Sequence, residues 1–113
     1  GGTAVTLEQL QSGEVKGDVL ANTTSVGMQP NVDETPVPAA ALKAGGFQVV
    51  FDAVYAPLET RLLREAKAAG CTQASGLDMF VGQAALQFEL FTGGKPADKA
   101  LMRKAVLDSM VPK

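Results

Sequence analysis

The sequence predicts an α/β fold in which three parallel strands carry helices on their faces and further helices close the chain. Two observations lead there. Short segments rich in β-branched, aromatic and small apolar residues, "GDVLANTTS", "FQVVFDAVY" and "CTQAS", alternate with segments of helical periodicity. Strand, helix, strand, helix, strand, helix implies right-handed crossovers and therefore a parallel sheet. The apolar fraction of 46% and mean hydropathy of +0.11 belong to a chain that folds, not to a disordered one.

Each element has a local reason. "GDVLANTTS" is a short apolar strand that runs into polar residues, and "MQPNVDETPVP" after it is a Pro-rich, acidic loop. "AAALKAGG" reads as one or two helical turns closed by Gly45 and Gly46. "FQVVFDAVY" is the strongest strand signal in the chain. Pro57 then suits a first helical position, and Leu58, Leu62, Leu63, Ala66 and Ala69 recur at helical spacing until Gly70. "CTQAS" is a third strand. Ser75 followed by Asp78 resembles a capping box opening "LDMFVGQAALQFELFTGG", which ends at Gly93 or Gly94. Met79, Phe80, Val81, Ala84, Ala85, Leu86, Phe88, Leu90 and Phe91 spread around most of that helix, as on a helix covered on nearly every side. A chain of 113 residues can hardly cover it alone. Pro96 opens a last helix with Leu101, Met102, Ala105 and Leu107 facing inward.

Composition removes several function classes. Ten basic against twelve acidic residues, dispersed along the chain, leave no stripe that would neutralise a phosphate backbone, so no nucleic-acid partner is expected. With one cysteine, Cys71, and no histidine there is neither an internal disulfide nor a soft-ligand metal set. No apolar run reaches the ~18 residues of a membrane span. A start at Gly-Gly without methionine suggests a processed or excised terminus. No G-x-G-x-x-G, Walker sequence or G-x-S-x-G occurs, and without histidine no Cys-His pair can form. Asp33 and Glu34 read as solvated loop residues, and Asp52 as a structural hydrogen-bonding group rather than a general base.

In parallel sheets ligands bind beyond the carboxyl ends of the strands. "NTTSVGM", "DAVYAP" and "SGLDMF" follow the three strands and meet on one rim. Their amide and hydroxyls can face a ligand or can satisfy the turn through local side-chain to backbone bonds. Gly27 and Gly76 can serve close packing or a positive φ, Met28 and Met79 can be core filler, and Tyr55 a packing residue. Gln83 and Gln87, one turn apart on an otherwise apolar helix, are harder to dismiss, because a buried amide needs partners.

The strings "LANTTSVGM", "VFDAVYAPLETRLLREAKAAG" and "SGLDMFVGQAALQFELFTG", in this order, resemble the C-terminal part of the shikimate dehydrogenase family, densely from Asp18 to Gly93. "MQPNVDETPVP" further resembles the plant form, in which a dehydroquinate dehydratase precedes the dehydrogenase. The resemblance implies residues 1–76 as the second half of a Rossmann-like NADP-binding domain and 77–113 as helices that return to a substrate domain. It implies NADP as cofactor and reduction of 3-dehydroshikimate to shikimate, with plastid localisation for the plant form and cytoplasmic otherwise. The catalytic lysine and aspartate would lie upstream, so the chain alone would be inactive. Met28, Ala53 and Gly76, with Thr24 and Met79, would face the cofactor; Tyr55, Gln83 and Gln87 would face the substrate. An NAD-using quinate relative and a non-catalytic association module are the alternatives.

Overall fold

The computed structural model describes residues 1–111. Three strands, β1 (Val19–Asn22), β2 (Val49–Asp52) and β3 (Thr72–Ser75), form one parallel sheet in the order β1-β2-β3. Val19 pairs with Val49 and Val49 with Thr72, so the strand ends Asn22, Asp52 and Ser75 lie side by side on one rim. Five helices accompany them: α1 (Leu7–Gln11), α2 (Ala39–Gly45), α3 (Arg61–Ala68), α4 (Gly76–Phe91) and α5 (Lys99–Ser109). The expected parallel α/β architecture is present, with α4 and α5 as the terminal helices.

The core lies between the sheet and the two crossover helices. Val37, Ala41, Leu42 and Phe47 from around α2 meet Leu62, Leu63 and Ala66 of α3 over Val50 of β2. The spacing of Leu62, Leu63 and Ala66 puts all three on one face of α3, which is why this helix forms where it does. Alternation along the strands sends Val19, Ala21, Val49, Phe51 and Ala74 to the opposite face. Val19 is 61% exposed there, and Phe51 is half-buried.

Four expectations change. Pro57 does not open α3: Thr60 does, its hydroxyl accepting from the Leu63 N–H while Pro57 stays in the preceding loop. The side-chain cap outweighs the preset proline φ because it satisfies an orphan N–H. On α5, Leu101 and Ala105 are exposed, and the half-buried residues are Met102, Val106 and Leu107. Pro96 does not open α5 either: Asp98 does, its carboxylate accepting from the Leu101 N–H, while Arg103 pairs with Asp78 of α4. Helix α1 was not anticipated at all, although "TLEQ" is a complete capping box. Thr6 N–H donates to Gln9 Oε1 (2.9 Å) and Gln9 N–H to Thr6 Oγ1 (3.1 Å).

Helix α4 is capped at Ser75, whose hydroxyl accepts from the Asp78 N–H, and ends at Thr92, ahead of Gly93 and Gly94 at positive φ. Its first half packs inward through Gly76, Leu77, Val81 and Ala85. Its second half is bare: Leu86, Leu90 and Phe91 are 64%, 79% and 85% exposed. The expectation that this chain cannot cover the helix by itself is met.

Candidate functional site

The rim is organised by a buried polar cluster. Asp52, at the end of β2, is 0% exposed. Its Oδ1 accepts from Asn22 Nδ2 (3.1 Å) and from the Val54 N–H (3.0 Å), and its Oδ2 from the Thr60 hydroxyl (2.8 Å). A carboxylate can be taken out of water only with such donors around it. Asn22, at the end of β1, uses both ends of its amide. Nδ2 donates to Asp52 and to the Val26 carbonyl (3.2 Å), while Oδ1 accepts from the Thr24 N–H (3.1 Å) and hydroxyl (2.7 Å). The Thr24 oxygen in turn accepts from the Val26 N–H. The expectation that Asp52 serves structural hydrogen bonding agrees with this geometry.

Two hollows open beside the cluster. One, of about 370 Å³, is lined by Thr23, Thr24, Ser25, Met28, Ala53, Val54, Tyr55 and Ala56. The other, of about 240 Å³, is lined by Ala53, Tyr55, Met79, Phe80 and Gln83. Ala53 and Tyr55 belong to both, so the short segment after β2 forms the partition between them. The Tyr55 ring is fixed edge-on against Phe80, with centroids 4.7 Å apart. A bond from the Gln29 N–H to the Ala56 carbonyl (2.9 Å) ties the loop after β1 to the loop after β2.

Gly76 lies beneath the partition. A Cβ built on it would run into the Ala53 carbonyl and would sit 2.7 Å from the Asp52 carbonyl oxygen. Only glycine lets α4 start this close to the end of β2. Gly27, in the loop after β1, has φ of +94°, a left-handed backbone conformation that favours glycine.

Thr24, Met28 and Ala53 thus come together in the first hollow, and Ala53, Tyr55, Met79 and Gln83 in the second. Gly76 is buried directly behind Ala53. Gln87 lines neither hollow, and both glutamines are exposed, so the anticipated buried amide stripe is absent. The reason is the uncovered flank of α4: nothing in the described residues packs over that turn. Sequence reading did not single out Thr60 or Phe80. Thr60 was legible as a helix cap three residues before Leu63; Phe80 carries no signal separating a ring partner from core filler. Among the described residues no group of three potential metal ligands exists, and no helix is long and apolar enough to cross a membrane.

Residues 76–107 match the family model described as the Shikimate 5'-dehydrogenase C-terminal domain. Over 102 residues the chain is 56% identical to the bifunctional 3-dehydroquinate dehydratase/shikimate dehydrogenase, chloroplastic, of Arabidopsis thaliana, covering 89% of this chain and 16% of that protein. It is 52% identical to the NADP(+) shikimate dehydrogenase of Methanosarcina mazei, over 82% of this chain and 32% of that one. The crystal structure of the shikimate 5-dehydrogenase of Thermus thermophilus, in complex with NADP(H) and shikimate, superposes with a TM-score of 0.75 at 36% identity. That match covers 94% of this chain and 38% of the Thermus chain. The chain spans about a third or less of the length of these curated relatives. Matched by the family's C-terminal model, by these relatives and by their parallel sheet with its terminal helices, the chain belongs to the shikimate dehydrogenase family, to whose C-terminal part it corresponds.

Proposed function

We propose that this chain forms the nicotinamide-side wall and part of the substrate face of an NADP-dependent shikimate dehydrogenase, which reduces the ketone of 3-dehydroshikimate to shikimate. The observation that carries this reading is the shared partition: Ala53 and Tyr55 belong to both hollows, so a ring in one and a small polyol in the other would be neighbours. The first hollow fits a flat ring. Its walls are the small Ala53 and Ala56 and the exposed, adaptable Met28, and Gly76 keeps the backbone behind Ala53 free of a side chain. Thr24, Met28, Ala53 and Gly76 would hold the cofactor, which when bound supplies the hydride, and Met79, which lines the second hollow, would meet it only beside the Ala53 partition.

The second hollow is lined by Tyr55 and Gln83, whose hydroxyl and amide suit hydroxyls or a carboxylate. Gln83 reaches solvent, which leaves its amide free to meet a substrate. Gln87, one turn further on, would join only if another part of the enzyme folds over α4. No lysine or carboxylate lines these hollows, and Asp52 is enclosed by its donors. The catalytic lysine and aspartate are assigned upstream, residues 1–76 to the second half of the dinucleotide domain and 77–113 to helices that return to the substrate domain. Plastid localisation follows for a plant enzyme like the Arabidopsis relative, whose name calls it chloroplastic.

The test is made in the complete enzyme carrying this chain. Tyr55→Phe removes one neutral hydrogen bond, about 0.5–1.5 kcal/mol, and so should raise the KM for shikimate several-fold with cofactor affinity unchanged. An equal loss in cofactor affinity would move Tyr55 to the nicotinamide side. Quinate turnover with NAD in preference to shikimate with NADP would reassign the substrate. The 113-residue chain by itself should give no saturable NADP reduction with shikimate, because the lysine and aspartate that would transfer the proton are assigned upstream of it.

A further inference from the structure

We propose that Asp52 is a positioning residue that holds the two walls of the hollow at a fixed separation and sets the Tyr55 ring; that the hollow serves cofactor and substrate rests on the function proposed above. The carboxylate reaches both walls at once. Through the Val54 N–H it fixes the Ala53–Val54 peptide, which leads from Ala53 into Tyr55, the two residues common to both hollows. Through Asn22 it fixes the opposite wall, because the same amide holds the backbone and hydroxyl of Thr24 and the carbonyl of Val26. Through Thr60 it locks the start of α3.

The polarity of this cluster is determined. Asn22 Oδ1 receives two donors from Thr24, so Nδ2 must face the Val26 carbonyl and Asp52, and only an acceptor at position 52 completes the set. The Thr24 hydroxyl gives its proton to the bond with Asn22. With that proton committed, Thr24 offers the hollow no free hydroxyl donor. A buried carboxylate that merely stabilised the core would have no reason to collect its donors from both walls of one hollow. Asp52 touches no ligand in this arrangement; it acts through Asn22 and Val54.

The chain reports on this itself, since Tyr55 is its one tyrosine and it has no tryptophan. In the 113-residue protein, Asp52→Asn keeps an oxygen toward Val54 and Asn22 but sets an NH2 group against Thr60, whose hydroxyl proton then has no acceptor, whereas Thr60→Val removes that hydroxyl and leaves the carboxylate. Both variants should at least double acrylamide quenching of Tyr55, reduce its near-ultraviolet dichroism by half or more, and shift the Val54 amide resonance. Thr60→Ser retains the hydroxyl and should restore the parent signals. Leu62→Ala, a core variant outside the cluster, should lower the melting temperature without moving the Tyr55 signals. Should Asp52→Asn not fold, Thr60→Val against Thr60→Ser carries the same comparison. Unchanged Tyr55 signals in folded Asp52→Asn or Thr60→Val overturn the proposal. In the complete enzyme the same variants should raise the shikimate KM and the NADP dissociation constant together, by threefold or more. If Tyr55 moves while both constants stay put, Asp52 still sets the ring, and the assignment of the hollow to cofactor and substrate fails.

Discussion

At position 76 a single methyl group decides where α4 can begin. The built Cβ overlaps the Ala53 carbonyl, and backbone, unlike a flexible side-chain end, cannot swing aside. Gly76→Ala should therefore destabilise the chain by about 1–3 kcal/mol, as overpacking does, and should push Ala53 into the hollow it lines. Gly82, six residues on in the same helix, meets nothing within 4 Å. Gly82→Ala should instead stabilise the chain by about 0.5–1 kcal/mol through backbone entropy and helix propensity. Urea unfolding of the two variants side by side checks both signs. Sequence alone could mark both glycines but not separate them, because close approach is made by Ala53, far away in the chain. Thr24, Met28, Ala53, Tyr55 and Met79 were legible as rim residues because strand ends in a parallel sheet converge. Whether Gln87 has a partner was not legible, since that depends on what covers the outer flank of α4.

Among the elements, β1, β2, β3, α2 and α3 followed from alternating patterns and glycine stops, and their order dictated the parallel sheet. Boundaries were less legible where two start signals competed. Proline and threonine both precede α3, and the threonine won because its hydroxyl caps the Leu63 N–H while bonding Asp52. Thr60→Ala removes a cap worth about 1 kcal/mol and a hydrogen bond to a charged group worth about 1.5–3 kcal/mol. Its unfolding midpoint should fall well below that of Ser75→Ala, which loses only the α4 cap. Comparable losses in the two variants would show that the Thr60 to Asp52 bond contributes little. On α5 the inward face was not legible because its apolar residues are spread around a weakly amphipathic helix, of which Met102, Val106 and Leu107 are the half-buried ones.

Across the whole molecule, apolar surface is distributed unevenly. The helix-covered face of the sheet is closed, whereas Val19 on the other face and Leu86, Leu90 and Phe91 on α4 stand in solvent. β1 also pairs with β2 alone, leaving one of its edges open among the described residues. An open edge beside bare apolar side chains favours association. In sedimentation the chain should self-associate with concentration, and Leu90→Glu with Phe91→Lys should weaken this without lowering the melting temperature. A monodisperse parent chain at high concentration would refute the expectation.

The parallel register also constrains how the molecule can assemble. Val19 meets Val49, and Val49 meets Thr72, only across an intervening helix; no two consecutive described strands form a hairpin that could zip from a turn. Every ladder bond therefore requires closure of a long loop before it returns any energy, the situation in which folding is slow for chain length. The Asn22 to Asp52 bond, thirty residues apart along the chain, cannot precede the docking of β1 on β2. In stopped-flow refolding the Tyr55 signal should appear with the slow global phase, after helical dichroism has begun to rise, so that the partition between the hollows is among the last features the chain acquires.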